Sequence, residues 1–209
     1  RLERRVGELG HAPAAVPGVK PAPVAADEWA RPGVPIKRAQ RPSWITDPTG
    51  LPDFASGGVI TEGLEQDLST ITPYVGTTTV TRRVLELVQE RLADYNPKTL
   101  EMEGVLAEAW QMDPAGLWLR VKIRDDATWS DGEPVTADDV RFTIDLIRNP
   151  AYGATRFQSQ FEPVSGVTSI SPKVVEFTFS EALYTNEFGT LRIAPLPAHF
   201  YGRLTPEQF

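Results

Sequence analysis

The stretch ATWSDGEPVTADDVRFTIDLIRNP, residues 127–150, gathers Asp131, Glu133, Asp138, Asp139 and Asp145 around Trp129 and an Asp-Gly pair. Two carboxylates that face a cleft with pKa values pushed apart can act as general acid and general base. A hydrolase using Asp125, Asp126, Asp138 or Asp139 is therefore one reading of this segment. Adjacency along the chain does not itself place two carboxylates across a substrate. The calcium-loop pattern also fails, because DDATWSDGEPVT lacks the alternate-position oxygen ligands and the closing Glu.

Each acid also has a structural role open to it. Ser130-Asp131-Gly132 is a turn signal, since Gly accepts positive φ and Asp bonds back to its own backbone. Thr136 with Asp139 three residues later forms a capping-box pattern, with Asp in place of the usual Glu or Gln. Asp138 and Asp139 would stand in the first helical turn, where free amides and the helix dipole favour negative charge. Val140, Ile144 and Ile147 then make a buried stripe, and Arg148, Asn149 and Pro150 supply the stop. We expect these acids to shape the backbone.

Other catalytic patterns are missing: no G-x-S-x-G, H-E-x-x-H, G-x-x-x-x-G-K-[ST] or G-x-G-x-x-G occurs. With no cysteine there is no disulfide, thiolate metal site or cysteine nucleophile. His11 and His199 lie at opposite ends of the chain, and His199, bracketed by prolines and aromatics, reads as a packing residue. No catalytic residue, metal ligand or cofactor is assigned.

The elements that position this segment follow from periodicity. LWLRVKIR alternates, with Leu117, Leu119, Val121 and Ile123 on one face and Trp118, Arg120, Lys122 and Arg124 on the other, as a half-buried strand requires. VVEFTF repeats the pattern with Val175, Phe177 and Phe179, and pairs with VTSI across Ser171-Pro172-Lys173. Upstream, Val80, Val84, Leu87, Val88, Leu92 and Tyr95 recur at helical spacing, with Asn96 as cap and Pro97 as stop. A short strand is expected near Val59–Glu62. Nine prolines fall within residues 1–56, so that segment reads as an extended arm or linker, pinned by Trp29 and Trp44. The fold class is α/β with hairpins.

No run reaches the ~18 apolar residues of a membrane span, and RLERRVGELG is not a leader segment. A net charge of −7 argues against a nucleic-acid groove. Residues 1–42 are basic and the rest acidic, which suits a cationic or neutral ligand better than an anionic one.

Taken in order, these segments resemble the family 5 extracytoplasmic solute-binding proteins, the oligopeptide, dipeptide and nickel receptors of ABC importers. The similarity runs from about Gly57 to the end. LAEAWQMDPAGLWLRVKIRDDATWSDGEPVTADDVRFTIDLI is similar to the family's "LAesW", an alternating strand, and the "W-x-DG-x-P-(V/L)-T-A-x-DV" signature, met by Trp129, Asp131, Gly132, Pro134, Val135, Thr136, Ala137, Asp139 and Val140. ITPYVGTTTVTRRVLELVQERLADYNP resembles the "L-(D/N)-P" loop and following helix, and IAPLPAHFYG the "ilPkH" segment.

The resemblance implies a periplasmic-binding-protein type II-like fold, present as a partial first lobe with mixed sheet, hairpins and a small extra subdomain over residues 57–209, the second lobe being absent. It implies a non-enzymatic receptor, periplasmic or otherwise extracytoplasmic and associated with the cell envelope. Its partners would be a peptide or other small-molecule ligand held between two lobes and the ABC permease subunits, with no nucleic acid; contact with the membrane would run through a lipid anchor or the permease. Ligand contacts are expected from the loop Tyr74, Gly76, Thr77, Thr78 and Thr79, and from Tyr152 or Phe157 after the signature helix. Trp129 is expected in the core. A protein-interaction module recruiting partners through the proline-rich arm is the remaining alternative.

Overall fold

In a computed structural model, the described residues are 28–39, 42, 48–50, 52–59, 61, 63, 70, 72–76 and 78–209. Strands β1 (Lys37–Arg38), β2 (Ala93–Tyr95), β3 (Met102–Gly104), β4 (Ala107–Met112), β5 (Trp118–Ile123), β6 (Val164–Ser171) and β7 (Val174–Phe179) are joined by helices α1 (Thr79–Val88), α2 (Ala137–Arg148), α3 (Thr155–Gln158), α4 (Thr185–Leu191) and α5 (Ala198–Tyr201). Five strands form one sheet in the order β1-β4-β5-β7-β6, and β2 pairs with β3. All these pairings are antiparallel. The α/β class holds, but the expected mixed sheet is corrected: among the described residues no strand pairs in parallel. Short turns join β4 to β5 and β6 to β7, and a turn of that length can only reverse the chain.

The alternation read from β5 is realised, with Leu119, Val121 and Ile123 buried and Trp118, Arg120 and Lys122 partly exposed; Leu117 lies just outside the strand and is exposed. Val175 and Phe177 continue the same face, and α2 lays Val140, Ile144 and Ile147 across it to form the main core. Each such side chain contributes about 1.5–3 kcal/mol on burial.

Residues 28–39 of the proline-rich segment pack on the opposite sheet face. Trp29 is buried against Ala109 and Val174, and β1 adds an edge strand in register Lys37 with Trp110 and Arg38 with Ala109. Beneath the arm, Glu176 accepts from Arg31 at 2.6 Å and from Arg120 Nε at 2.8 Å. Gln111, fully buried, accepts from the Arg31 amide and donates to the Arg31 and Val34 carbonyls. The Arg31 guanidinium also lies 4.2 Å from the centroid of the Trp118 ring. The polar side chains of β4, β5 and β7 therefore satisfy one another and the arm's backbone, as burial requires. The expected pinning by Trp29 is realised. Trp44 lies outside the described residues, as do Ile60 and Glu62; Val59 and Thr61 are described and belong to no strand, and Val59 is exposed, so the strand expected near Val59–Glu62 is not seen among the described residues.

The first long helix ends earlier than its periodicity suggests. α1 stops at Val88, where the Gln89 amide donates to Leu85. Leu92 and Tyr95 are not helical. The Leu92 amide donates to the Ile193 carbonyl at 3.0 Å and its own carbonyl accepts from Val105 and Ala107; Tyr95 belongs to β2. Asn96 caps no helix; its Oδ1 accepts from the Lys98 and Thr99 amides and turns β2 into β3. Long-range backbone pairing at Leu92 outweighs helix propensity here. Leu87 and Val88 remain 82% and 72% exposed.

Candidate functional site

The acidic stretch is built from its local bonds. Trp129 donates its amide to Glu133 at 2.7 Å, Gly132 to Trp129 at 3.0 Å and Val135 to Ala127 at 3.0 Å. Asp131 Oδ1 accepts from the Glu133 amide, and Gly132 takes φ 92°, a conformation that suits glycine. Lys173 Nζ donates to the Ala127 and Val135 carbonyls and ties the turn to the β6–β7 connection. Burial there lowers the Lys173 pKa from its ordinary value.

The capping box at α2 is complete. Thr136 Oγ1 accepts from the Asp139 amide, and Asp139 Oδ2 accepts from the Thr136 amide at 2.8 Å. Asp139 Oδ2 also accepts from Trp129 Nε1 at 3.3 Å, while its Oδ1 accepts from the Ala198 amide at 2.8 Å. Asp138 is exposed and held by Ser169 and Arg141, contacts that lower its pKa. Asp131 Oδ2 lies 2.7 Å from His199 Nε2, and this hydrogen bond lowers the Asp131 pKa. His199 is thus a surface partner of the turn, correcting its reading as a packing residue: α5 presents it towards Asp131, 68 positions away in sequence. No two of these carboxylates converge on a common hollow, and no group of three or more His, Cys, Asp or Glu among the described residues could hold a metal ion.

The hollow lies beside this stretch. An open groove of about 1240 Å³ runs between the loop before α1, the far end of α1, the turn Thr128–Ser130, the segment Arg156–Phe161 and Arg192–Ala194. Tyr74, Gly76, Thr79 and Phe157 line it. Tyr74 has φ 64°, a left-handed conformation that costs a non-glycine residue about 1–3 kcal/mol. Two attachments hold it there. Its hydroxyl donates to the Ala194 carbonyl at 2.7 Å and accepts from the Ala194 amide at 3.0 Å, and its ring meets Phe157 edge-on with centroids 5.1 Å apart. Burial pushes the phenol pKa well above its ordinary value, so it stays neutral.

Gly76 is required by close approach, because a Cβ there would sit 2.4 Å from Thr81 Cγ2. Thr78 works locally as the N-cap of α1, accepting from the Thr81 amide. Thr77 lies outside the described residues. Tyr152 stands away from the groove, its ring edge-on to Phe209 at 5.3 Å.

Several groove residues were not singled out from sequence. Trp129, expected in the core, is half-buried: it packs on the core and also faces the groove, with Thr128 and Ser130 beside it. Its indole donates to the Asp139 carboxylate. Four guanidinium groups reach the wall, from Arg82, Arg91, Arg156 and Arg192, against Glu86, Glu90 and Asp94. Arg91 and Arg192 both bond Asp94, and Arg82 lies near Glu86. Arg156 is exposed and has no hydrogen-bond or ion-pair partner among the described residues. The acidic balance of the chain therefore does not carry over to this wall. No sequence signal marks these arginines, since Arg82 comes from α1, Arg156 from α3, and Arg91 and Arg192 from the connections after α1 and α4.

The fold and the groove define a class: a partial first lobe of a type II periplasmic-binding-protein fold. Residues 101–206 match the family model described as bacterial extracellular solute-binding proteins, family 5 middle, and the chain belongs to that family. It is 30% identical over 138 residues to the peptidoglycan-binding protein YepA of Agrobacterium fabrum, covering 62% of this chain and 22% of that protein. Among solved structures, NikZ from Campylobacter jejuni in complex with Ni(L-His) is 26% identical with a TM-score of 0.56, over 67% of this chain and 27% of that one. The oligopeptide-binding protein AppA from Bacillus subtilis, in complex with a nonapeptide, is 26% identical with a TM-score of 0.54, over 62% and 26%. The chain thus spans about 22% of the length of the curated relatives it matches.

Proposed function

We propose that this chain supplies one wall of the ligand cleft of an ABC-importer receptor that works outside the cytoplasm and binds an extended peptide or a similar small solute without transforming it. One observation carries the reading: the groove beside the signature turn is walled by a strained, doubly anchored Tyr74 set edge-on against Phe157, with Arg156, which has no partner among the described residues, next to it. Apolar surface from Tyr74, Leu85, Phe157 and Ile193 stands beside the charged groups of this wall, and a small-ligand site combines such apolar contact with placed polar groups. The ligand lies against Tyr74, Gly76, Thr79 and Phe157, with Thr77 included by its place in the same loop. Thr78 fixes the direction of that loop through its cap. Arg156 takes an anionic group such as a peptide carboxylate, which its planar donor fork suits.

A second lobe closes over the ligand, since a good site buries about 70–90% of its ligand surface and one wall cannot. The closed form then docks on the permease. The relatives solved or named with a nickel–histidine complex, a nonapeptide and peptidoglycan support a solute of this size range. Calorimetry on the complete protein with mixed short peptides, nickel–amino-acid chelates and oligosaccharides tests the reading. Saturable binding of one class, weakened by Phe157→Ala, is expected; absence of binding to all three overturns it.

A further inference from the structure

A cavity of about 390 Å³ lies between α4, the segment that follows α3, the start of β6 and the end of β7. α4 contributes Asn186 and Thr190 to its lining, one helical turn apart and so on one face of the helix. Both are almost fully buried, 4% and 3% exposed. Asn186 Nδ2 donates to the Gly116 carbonyl at 3.2 Å and to the Glu181 carbonyl at 2.8 Å, which fixes the amide's orientation and leaves its Oδ1 over. Neither that oxygen nor the Thr190 hydroxyl has a hydrogen-bond partner among the described residues. A buried polar group without a partner is costly. Two of them at one cavity mark a place where a bound molecule completes the bonding.

The rest of the lining narrows what that molecule is. Val164, Phe179, Leu183 and Phe188 supply apolar surface. Among the described residues Arg192 is the one charged group of the lining; its Nε lies 3.2 Å from Asp94 Oδ1, and its terminal nitrogens have no hydrogen-bond partner there. We propose that this cavity is a second small-molecule site, separate from the groove, for a small carboxylate that carries an apolar body and a hydrogen-bond donor. The terminal nitrogens of Arg192 take the carboxylate, whose shape their planar fork matches. Asn186 Oδ1 and the Thr190 hydroxyl take the donor, and the apolar body lies against Phe179, Leu183 and Phe188. A cation lacking a carboxylate finds no acidic partner in this lining. The volume falls within the ~300–1,000 Å³ of small-ligand sites. Neither Asn186 nor Thr190 borders the groove, so the proposal does not depend on the groove being a ligand site.

Thr190 provides the test. Thr190→Val keeps the branched shape and removes a buried hydroxyl that bonds to nothing, so thermal stability should be unchanged or raised. Gly189→Leu is the second variant: Gly189 lines the cavity, and a Cβ added to it meets nothing within 4 Å. Binding to the complete protein is followed by calorimetry with three probes: L-phenylalanine, hydrocinnamate, which lacks the donor, and phenethylamine, which lacks the carboxylate. L-phenylalanine should bind saturably, and each of the other two about threefold or more weakly. Thr190→Val should weaken L-phenylalanine by about three- to tenfold, Gly189→Leu should abolish its binding, and Phe157→Ala, in the groove, should leave it unchanged. No saturable binding of L-phenylalanine, or phenethylamine binding equally well, overturns the site. Binding that is lost in Phe157→Ala but kept in Thr190→Val and Gly189→Leu also overturns it, since the probe then sits in the groove.

Discussion

Asp138 and Asp139 are neighbours in sequence and should behave oppositely when replaced. Asp139 is 4% exposed and accepts from the Thr136 amide, the Thr136 hydroxyl, Trp129 Nε1 and the Ala198 amide. Asp139→Ala removes the return half of the capping box, the bond from the Thr136 amide to the Asp139 carboxylate, worth about 1 kcal/mol. It also leaves the Ala198 and Trp129 donors without an acceptor, at about 1–3 kcal/mol each when buried. Trp129 is half-buried, so the lower values apply to it, and the total is about 3–5 kcal/mol. For a folded unit of this size each kcal/mol lowers Tm by about 2–4 °C, giving a fall of roughly 6–20 °C. Asp138→Ala loses only exposed contacts with Ser169 and Arg141, a change within about 0.5 kcal/mol. Thermal unfolding followed by circular dichroism separates the two. Equal losses, or an Asp139→Ala protein that melts like the wild type but has lost a function, would refute the structural assignment of these acids.

Three further outcomes follow from the same reasoning. Glu176→Ala should destabilise by about 3–5 kcal/mol, because it leaves the Arg120 guanidinium in a buried polar layer without its partner, and limited proteolysis should then cut within residues 28–39. Asp131 should titrate below its ordinary value of 3.8 when followed by carboxyl NMR, and His199→Ala should move it back up. Because the folded-state pKa is the lower one, the stabilisation is present above the unfolded value and disappears as pH falls through the folded value. Gly76→Ala should cost about 1–3 kcal/mol by forcing a Cβ against Thr81, and should weaken ligand affinity by shifting the start of α1.

What could be read from the sequence was local. The turn at Asp131-Gly132, the Thr136–Asp139 box and the stripe Val140, Ile144, Ile147 each depend on partners within a few positions, and all appear as expected. The alternation in β5 and β7 was legible because one face is buried. The other face was not, since Glu176 and Arg31 meet across 145 positions and no period announces them. The end of α1 was misjudged for a related reason: the apolar spacing persists through Leu92, but a backbone bond to Ile193 carries that residue out of the helix. The loop containing Tyr74 and Gly76 came from the family resemblance, as did Phe157. The wall of arginines could not, because Arg91, Arg156 and Arg192 are assembled only by the fold.

The most direct test of the central claim compares two sets of substitutions in one binding assay. Phe157→Ala and Arg156→Ala, in the groove, are set against Asp131→Asn and Asp138→Asn, in the acidic stretch, with affinity for a bound peptide measured by calorimetry on the complete protein. The groove pair should weaken binding by about tenfold or more, and the acidic pair should leave it within about twofold. Loss of binding in the acidic pair, with the groove pair unaffected, would place recognition at the carboxylates and contradict the account.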